Sequence, residues 1–151
     1  MAVFLIIAAI RACTILKSLI NDLFLHLKNS FMTLADKKCA PCELGTPPMS
    51  RQWAEKLLND LPGWGIDENG KLAKTYTFNN FMDAVHFLDK VAKIAEEEGH
   101  HPDMCVQNYN QLKLMSWTHA SKGLTENDFI IAAKAERAFS GFQKELACAM
   151  P

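Results

Sequence analysis

Residues 96–119 read EEEGHHPDMCVQNYNQLKLMSWTH and hold His100, His101 and His119, three of the chain's five histidines. An imidazole titrates near pH 6.5 when unperturbed, so it can give or take a proton near neutrality, and its neutral form binds metals. Three uses therefore compete. A zinc ion with three histidine ligands and one open position is chemically possible, but the usual His-x-His and His-x-x-x-His spacings are missing. Solvated imidazoles at the end of a helix, facing its negative pole, would need no function at all. The third use is acid–base catalysis, with Glu96, Glu97, Glu98 or Asp103 orienting an imidazole or raising its pKa. No G-x-S-x-G nucleophile and no glycine-rich phosphate cradle is present. These residue types point to proton transfer on a small molecule, with no bound cofactor and no metal.

The chain around the histidines constrains their geometry. Pro102 biases His101 toward an extended conformation, and adjacent residues in extended chain point to opposite sides. His100 and His101 are thus poorly placed to serve one metal from one face. His119 follows a strand pattern and can converge on one of them, or on both if the chain bends. His86 lies beside the apolar stripe of a helix and reads as a structural residue.

The elements that must position these groups follow from periodicity. Ser50 is a candidate N-cap for a helix with Trp53, Leu57, Leu58 and Leu61 on one face, stopped by Pro62-Gly63. Asn69-Gly70 between two short extended runs predicts a type I′ hairpin turn. In NNFMDAVHFLDKVAKIAEEEG, the residues Phe81, Val85, Leu88, Ala92 and Ala95 form the expected buried stripe. Asn79 or Asn80 caps its start and Gly99 suits its end. Two more extended runs turn near Asn110, with Leu112 and Leu114 on the buried side of the second. Thr125 and Asp128 form a capping box for the last helix, with Leu124 and Phe129 in the staple positions. The order α-β-β-α-β-β-α predicts an α+β fold, a four-stranded antiparallel sheet with helices packed on one face. The other face of so small a sheet, or its edge strand, would need covering or pairing, which favours an oligomer.

A chain of 151 residues that is 49% hydrophobic can bury one ordinary core. Residues 1–31 hold three basic and one acidic side chain, which leaves 13 basic and 16 acidic in the remainder. With no basic patch, nucleic acid is not an expected partner. The five cysteines are unevenly spaced, which fits a reducing compartment better than a disulfide framework. Cys39-Ala-Pro-Cys42 lacks the second pair that zinc needs and the βαβ context of thioredoxin-like chemistry. Residues 1–45 read as an N-terminal extension and 46–151 as the domain. The extension opens with an apolar run from Val3 to Ile10, broken at Arg11, followed by an amphipathic helix pattern. The run is too short to span a bilayer, so a membrane partner is not expected. A targeting segment, a packing helix and a dispensable extension all remain open. The expected location is cytoplasmic, or mitochondrion or plastid if residues 1–31 act as an address.

Glu96, then His100-His101-Pro102, Tyr109, His119 and Asp128 resemble the pattern of the pterin-4a-carbinolamine dehydratase family. The segments GHHPD, YNQLKLMSWTH and GLTENDF extend the likeness over about residues 49–142. The resemblance implies dehydration of 4a-hydroxytetrahydrobiopterin, or an equivalent reduced pterin, to quinonoid dihydropterin and water, which recycles a tetrahydropterin cofactor. It implies His100, His101 and His119 as the catalytic trio, with Pro102, Thr118, Ala120 and Ser121 lining the pterin site. Glu96 and Asp128 would support them, Asp128 chiefly as the third residue of its capping box. His100 and His119 would transfer protons and His101 would position the substrate. A homodimer or homotetramer is expected. Because the family also includes non-catalytic roles, the alternative is a dimerisation or assembly cofactor that binds a protein partner.

Overall fold

A computed structural model describes residues 33–41 and 46–149. The apolar run, the amphipathic pattern before Met32 and Cys42 of the Cys-x-x-Cys lie outside the described residues. The unit that carries the histidines begins at Leu34 with a short 3₁₀ turn, Leu34–Asp36. It continues through α1 (Arg51–Leu58), β1 (Gly65–Ile66), β2 (Leu72–Thr77), α2 (Phe81–Glu98), β3 (Asp103–Gln107), β4 (Gln111–Ser116) and α3 (Glu126–Ala149). The predicted α+β order is the observed one. All strand pairs are antiparallel and the sheet order is β1-β2-β4-β3, which puts β4 between β2 and the edge strand β3. None of the described helices is long and apolar enough to cross a membrane.

Local chemistry sets the ends of the helices. The Ser50 hydroxyl accepts the Trp53 N–H at α1, and the Asn80 side chain accepts the Asp83 N–H at α2. Gly99 closes α2 in the left-handed region at φ 63°, and the His100 N–H reaches back to the Ala95 carbonyl. That pairing, characteristic of a Schellman turn, satisfies a terminal carbonyl and swings the chain out of the helix at His100.

Three local expectations are corrected. Asn69-Gly70 does not form a type I′ turn, because only Gly70 has positive φ. The Gly70 N–H bonds the Asp67 carbonyl, and the Asp67 carboxylate accepts the Asn69 and Lys71 N–H groups. Asp67 thus caps a longer turn whose last residue is a left-handed glycine. In α2 the buried residues are Ala84, Phe87, Val91 and Ala95, whereas Phe81 is exposed and Val85, Leu88 and Ala92 are half-buried. The buried arc is rotated by about 75° from the apolar stripe, counting 100° per residue. Alanine carries little hydrophobic weight in a sequence pattern, yet its size lets a helix approach its neighbours. His86 stands exposed, off that arc. In α1, Trp53 is exposed, and Ala54 and the following Leu61 are the buried contacts.

The core fills the helical face of the sheet. Leu72 and Tyr76 of β2 and Leu112 and Leu114 of β4 are buried beneath α2 and α3. Tyr76 packs its ring against Phe87 and Phe139, with centroids 5.1 and 4.7 Å away. Its hydroxyl donates to Glu136 Oε1, which also accepts Lys74 Nζ at 2.7 Å and Trp64 Nε1 at 3.0 Å. Burial, and then the Glu136 carboxylate, push the Tyr76 hydroxyl far above its ordinary pKa. Tyr76→Phe keeps the ring contacts and removes one charge-assisted hydrogen bond, so it should cost about 1.5–3 kcal/mol in urea unfolding at pH 7. The native hydroxyl stays protonated where the unfolded one ionises. The gap between the two proteins should therefore narrow as pH rises above about 10; equal stability at pH 7 would contradict this account.

Candidate active site

The site is organised around one carboxylate. Asp128, in the first turn of α3, is fully buried, yet both its oxygens are occupied. Oδ1 accepts His100 Nε2 at 2.8 Å and Ser116 Oγ at 2.7 Å. Oδ2 accepts Thr118 Oγ1 and the Thr125 N–H, each at 2.8 Å, with Thr125 Oγ1 at 3.3 Å. The donors come from the exit of α2, the end of β4, the residues just after it, and the entry to α3. Burial alone would raise the carboxyl's pKa, but hydrogen bonds from His100, Ser116 and Thr125 outweigh it and hold Asp128 below the usual carboxylate range.

An ionised Asp128 can only accept. His100 Nε2 must therefore carry the hydrogen, and in the neutral ring Nδ1 is the basic nitrogen. His100 itself is buried, 6% exposed. The adjacent imidazole goes the other way: His101 is exposed, and its Nε2 lies 2.9 Å from Glu96 Oε1, one turn back on α2. Pro102, between His101 and β3, is buried.

His119 reaches the same region from the other strand. Asp103 pairs with Met115, so His101 and Pro102 precede the β3–β4 ladder at the end where Trp117, Thr118 and His119 leave it. Tyr109 sits at the opposite end of that ladder, exposed, with φ 71° in the hairpin. His119 is exposed and lies edge-on to Trp117, with ring centroids 4.8 Å apart. Its loop is tightly closed. Thr118 and Gly123 exchange backbone hydrogen bonds at 3.1 and 3.3 Å, and the Lys122 N–H bonds the His119 carbonyl. The Thr118 hydroxyl lies 2.8 Å from that of Thr125. A Cβ at Gly123 would meet Pro48 at 2.6 Å, so only glycine lets residues 48–49 pack there, where the Met49 N–H bonds the Leu124 carbonyl. Within the loop Ala120 is half-buried and Ser121 buried.

The structure thus joins His100, Thr118 and Asp128 in one buried network and pairs His101 with Glu96 at the surface. His119 stands one residue from that network without belonging to it. Among the described residues, no group of three or more His, Cys, Asp or Glu side chains is placed to hold a metal ion. Ser116 is the member the sequence reading missed. Its signal was a hydroxyl at the third buried position of β4, in phase with Leu112 and Leu114. A polar group on a core-facing strand position needs a buried partner, and Asp128 is that partner.

Residues 47–138 match the family model described as Pterin 4 alpha carbinolamine dehydratase. A Rickettsia bellii protein provisionally named pterin-4-alpha-carbinolamine dehydratase is 45% identical over 105 residues, covering 69% of this chain and 92% of that one. A protein of the same provisional name from Rubrobacter xylanophilus is 40% identical over 104 residues, 69% and 96% of the two chains. A crystal structure of a transcriptional coactivator/pterin dehydratase from Brucella melitensis superposes with a TM-score of 0.56 at 27% identity. It covers 60% of this chain and 97% of that one.

Asp128→Asn should lower stability at pH 7 by roughly 1.5–3 kcal/mol, because an amide NH2 replaces one accepting oxygen and leaves buried donors facing another donor. The folded-state carboxyl ionises at lower pH than the unfolded one. Its contribution is complete above about pH 4 and is lost as pH falls further through the depressed value. The difference between the two proteins in urea unfolding should therefore shrink below pH 4. A difference independent of pH from 7 to 3 would show that ionisation of Asp128 is not what stabilises the fold.

Proposed function

The chain belongs to the pterin-4a-carbinolamine dehydratase family, and from that premise we propose that it dehydrates a 4a-hydroxytetrahydropterin, such as 4a-hydroxytetrahydrobiopterin, to quinonoid dihydropterin and water by histidine acid–base catalysis. The reaction breaks the C4a–O bond and removes a proton from the neighbouring ring nitrogen, so it needs one acid and one base. His100 is the base. Asp128 fixes its tautomer with Nδ1 as the basic nitrogen, and the carboxylate stabilises the imidazolium formed when Nδ1 takes the ring N–H proton. His119, as its imidazolium, protonates the departing hydroxyl, which leaves as water. One ring gains a proton and the other loses one, so exchange with solvent restores both. His101, steadied by Glu96, positions the pterin, and Pro102, Thr118, Ala120 and Ser121 line its site.

The observation that carries this reading is the double use of Asp128. The same carboxylate orients His100 and, through Thr118, anchors the segment that bears His119. No electron transfer is involved, so a site of imidazoles and hydroxyls is chemically sufficient. β3 lies at the edge of the sheet, and an edge strand that needs a partner supports a homodimer or homotetramer.

The test is dehydration of 4a-hydroxytetrahydropterin by the purified chain. His100→Ala and His119→Ala should each reduce turnover on the order of 10²-fold or more, the usual contribution of a positioned acid or base. His101→Ala should act mainly on KM. Unchanged turnover in both of the first two variants would rule the mechanism out.

A further inference from the structure

Residues 38–40 tie together the two helix ends that carry His100 and Asp128. The Cys39 N–H donates to Glu98 Oε2 at 2.8 Å, and Lys38 Nζ donates to the Glu97 carbonyl at 3.1 Å, both in the last turn of α2. One residue on, Ala40 is held at both backbone groups by a single amide. Its N–H donates to Asn127 Oδ1 at 3.0 Å and its carbonyl accepts Asn127 Nδ2 at 2.7 Å. Asn127 is buried and precedes Asp128; Glu98, with a side chain only 5% exposed, stands two residues before His100. The hydrogen bond from Lys134, and then that from Cys39, hold the Glu98 carboxyl below its ordinary range against the cost of burial.

This segment lies before residue 47, outside the part matched to the family model. The residues just before it are anchored as well. Lys37 pairs with Glu126 at 2.5 Å, and Arg137 pairs with Asp36 at 2.6 Å. An asparagine amide presents the donor and acceptor of a peptide group, so it can match an extended residue as a neighbouring strand would. Aspartate in its place would keep only the acceptor.

What such a tie can control is the 2.8 Å contact between His100 and Asp128. His100 follows a left-handed glycine at a helix end, and Asp128 lies in a first turn; helix ends are where backbones fray. We propose that Lys38–Ala40 is a strap that sets the gap between the α2 exit and the α3 entry, with Asn127 and Glu98 as positioning residues for the His100–Asp128 pair. Neither residue touches the reacting atoms. The proposal rests on the acid–base reading for its effect on rate, but its effect on the His100 ring can be measured without it.

The experiment uses the full chain with ¹⁵N-labelled histidine and the variants Asn127→Ala, Asn127→Asp and Ala40→Pro. Ala40→Pro removes the strap's N–H while leaving every side chain of α2 and α3 in place, and it serves if Asn127→Ala does not fold. In each folded variant the His100 Nε2–H resonance should move and exchange faster with water. Turnover should fall about tenfold with KM within twofold, as expected for a displaced catalytic group. Asn127→Asp should lie between wild type and Asn127→Ala. Adding Ala40→Pro to Asn127→Ala should change little more, since both break the same contact. Lower thermal stability with the His100 resonance and turnover of the wild type would overturn the strap. A displaced His100 resonance, with His100→Ala itself fully active, would keep the strap and sink the acid–base reading.

Discussion

A carboxylate removed from water must find partners for its lone pairs or give up its charge. Asp128 keeps its charge because three stretches of chain bring four donors to it: His100 from the α2 exit, Ser116 and Thr118 from the end of β4, and Thr125 from the α3 entry. The requirement works in both directions. If any one stretch is misplaced, a buried charge loses a partner, and if the carboxylate is lost all four donors lose the group that orients them. The carboxylate is therefore a junction of the fold as well as the orienting group of the site, and the two roles cannot be varied separately.

The fold supplies the donors through ordinary rules. The Schellman turn at Gly99 ends α2 and turns His100 inward. Strand alternation sets Ser116 on the face of Leu112 and Leu114. The Thr118–Gly123 bridge closes a loop whose base faces the start of α3 while His119 remains exposed. Of the expected capping box only the acidic half forms: the Thr125 N–H bonds Asp128 Oδ2, while the Asp128 N–H bonds the Thr125 carbonyl rather than its hydroxyl. Here its acidic member also spends its other oxygen on His100 and Ser116, so the local device and the tertiary one share a side chain. Among the described residues, no buried side-chain nitrogen or oxygen lacks a hydrogen-bond partner.

Much of this was legible in the sequence, for reasons that differ by element. Ser50, Gly99 and the box at Thr125 act within a few residues, so their chemistry is written locally. The strand phase of β4 was equally plain. The rotated face of α2 was not: of the expected stripe only Ala95 is buried, and Ala84, buried for its small size, gives almost no apolar signal. At Asn69-Gly70 the dipeptide suggested one turn, while Asp67, two residues earlier, accepts the hydrogen bonds that select another. The bond from His100 to Asp128 spans 28 positions, and no periodicity reports such a pairing; only the family resemblance placed both residues in one site. The strap at Lys38–Ala40 left no trace, because its contacts to Asn127 and Glu98 are made largely by backbone groups, which every residue but proline possesses.

The central claim is that His100, His101 and His119 face one bound pterin. Titrating ¹⁵N-histidine-labelled protein with 7,8-dihydropterin, an analogue without the 4a-hydroxyl, tests it most directly. The ring resonances of all three should shift along a single saturation curve, while His86, exposed on α2, stays still. Movement of only one of the three, or different midpoints for His100 and His119, would mean that they do not share a ligand and would contradict the account.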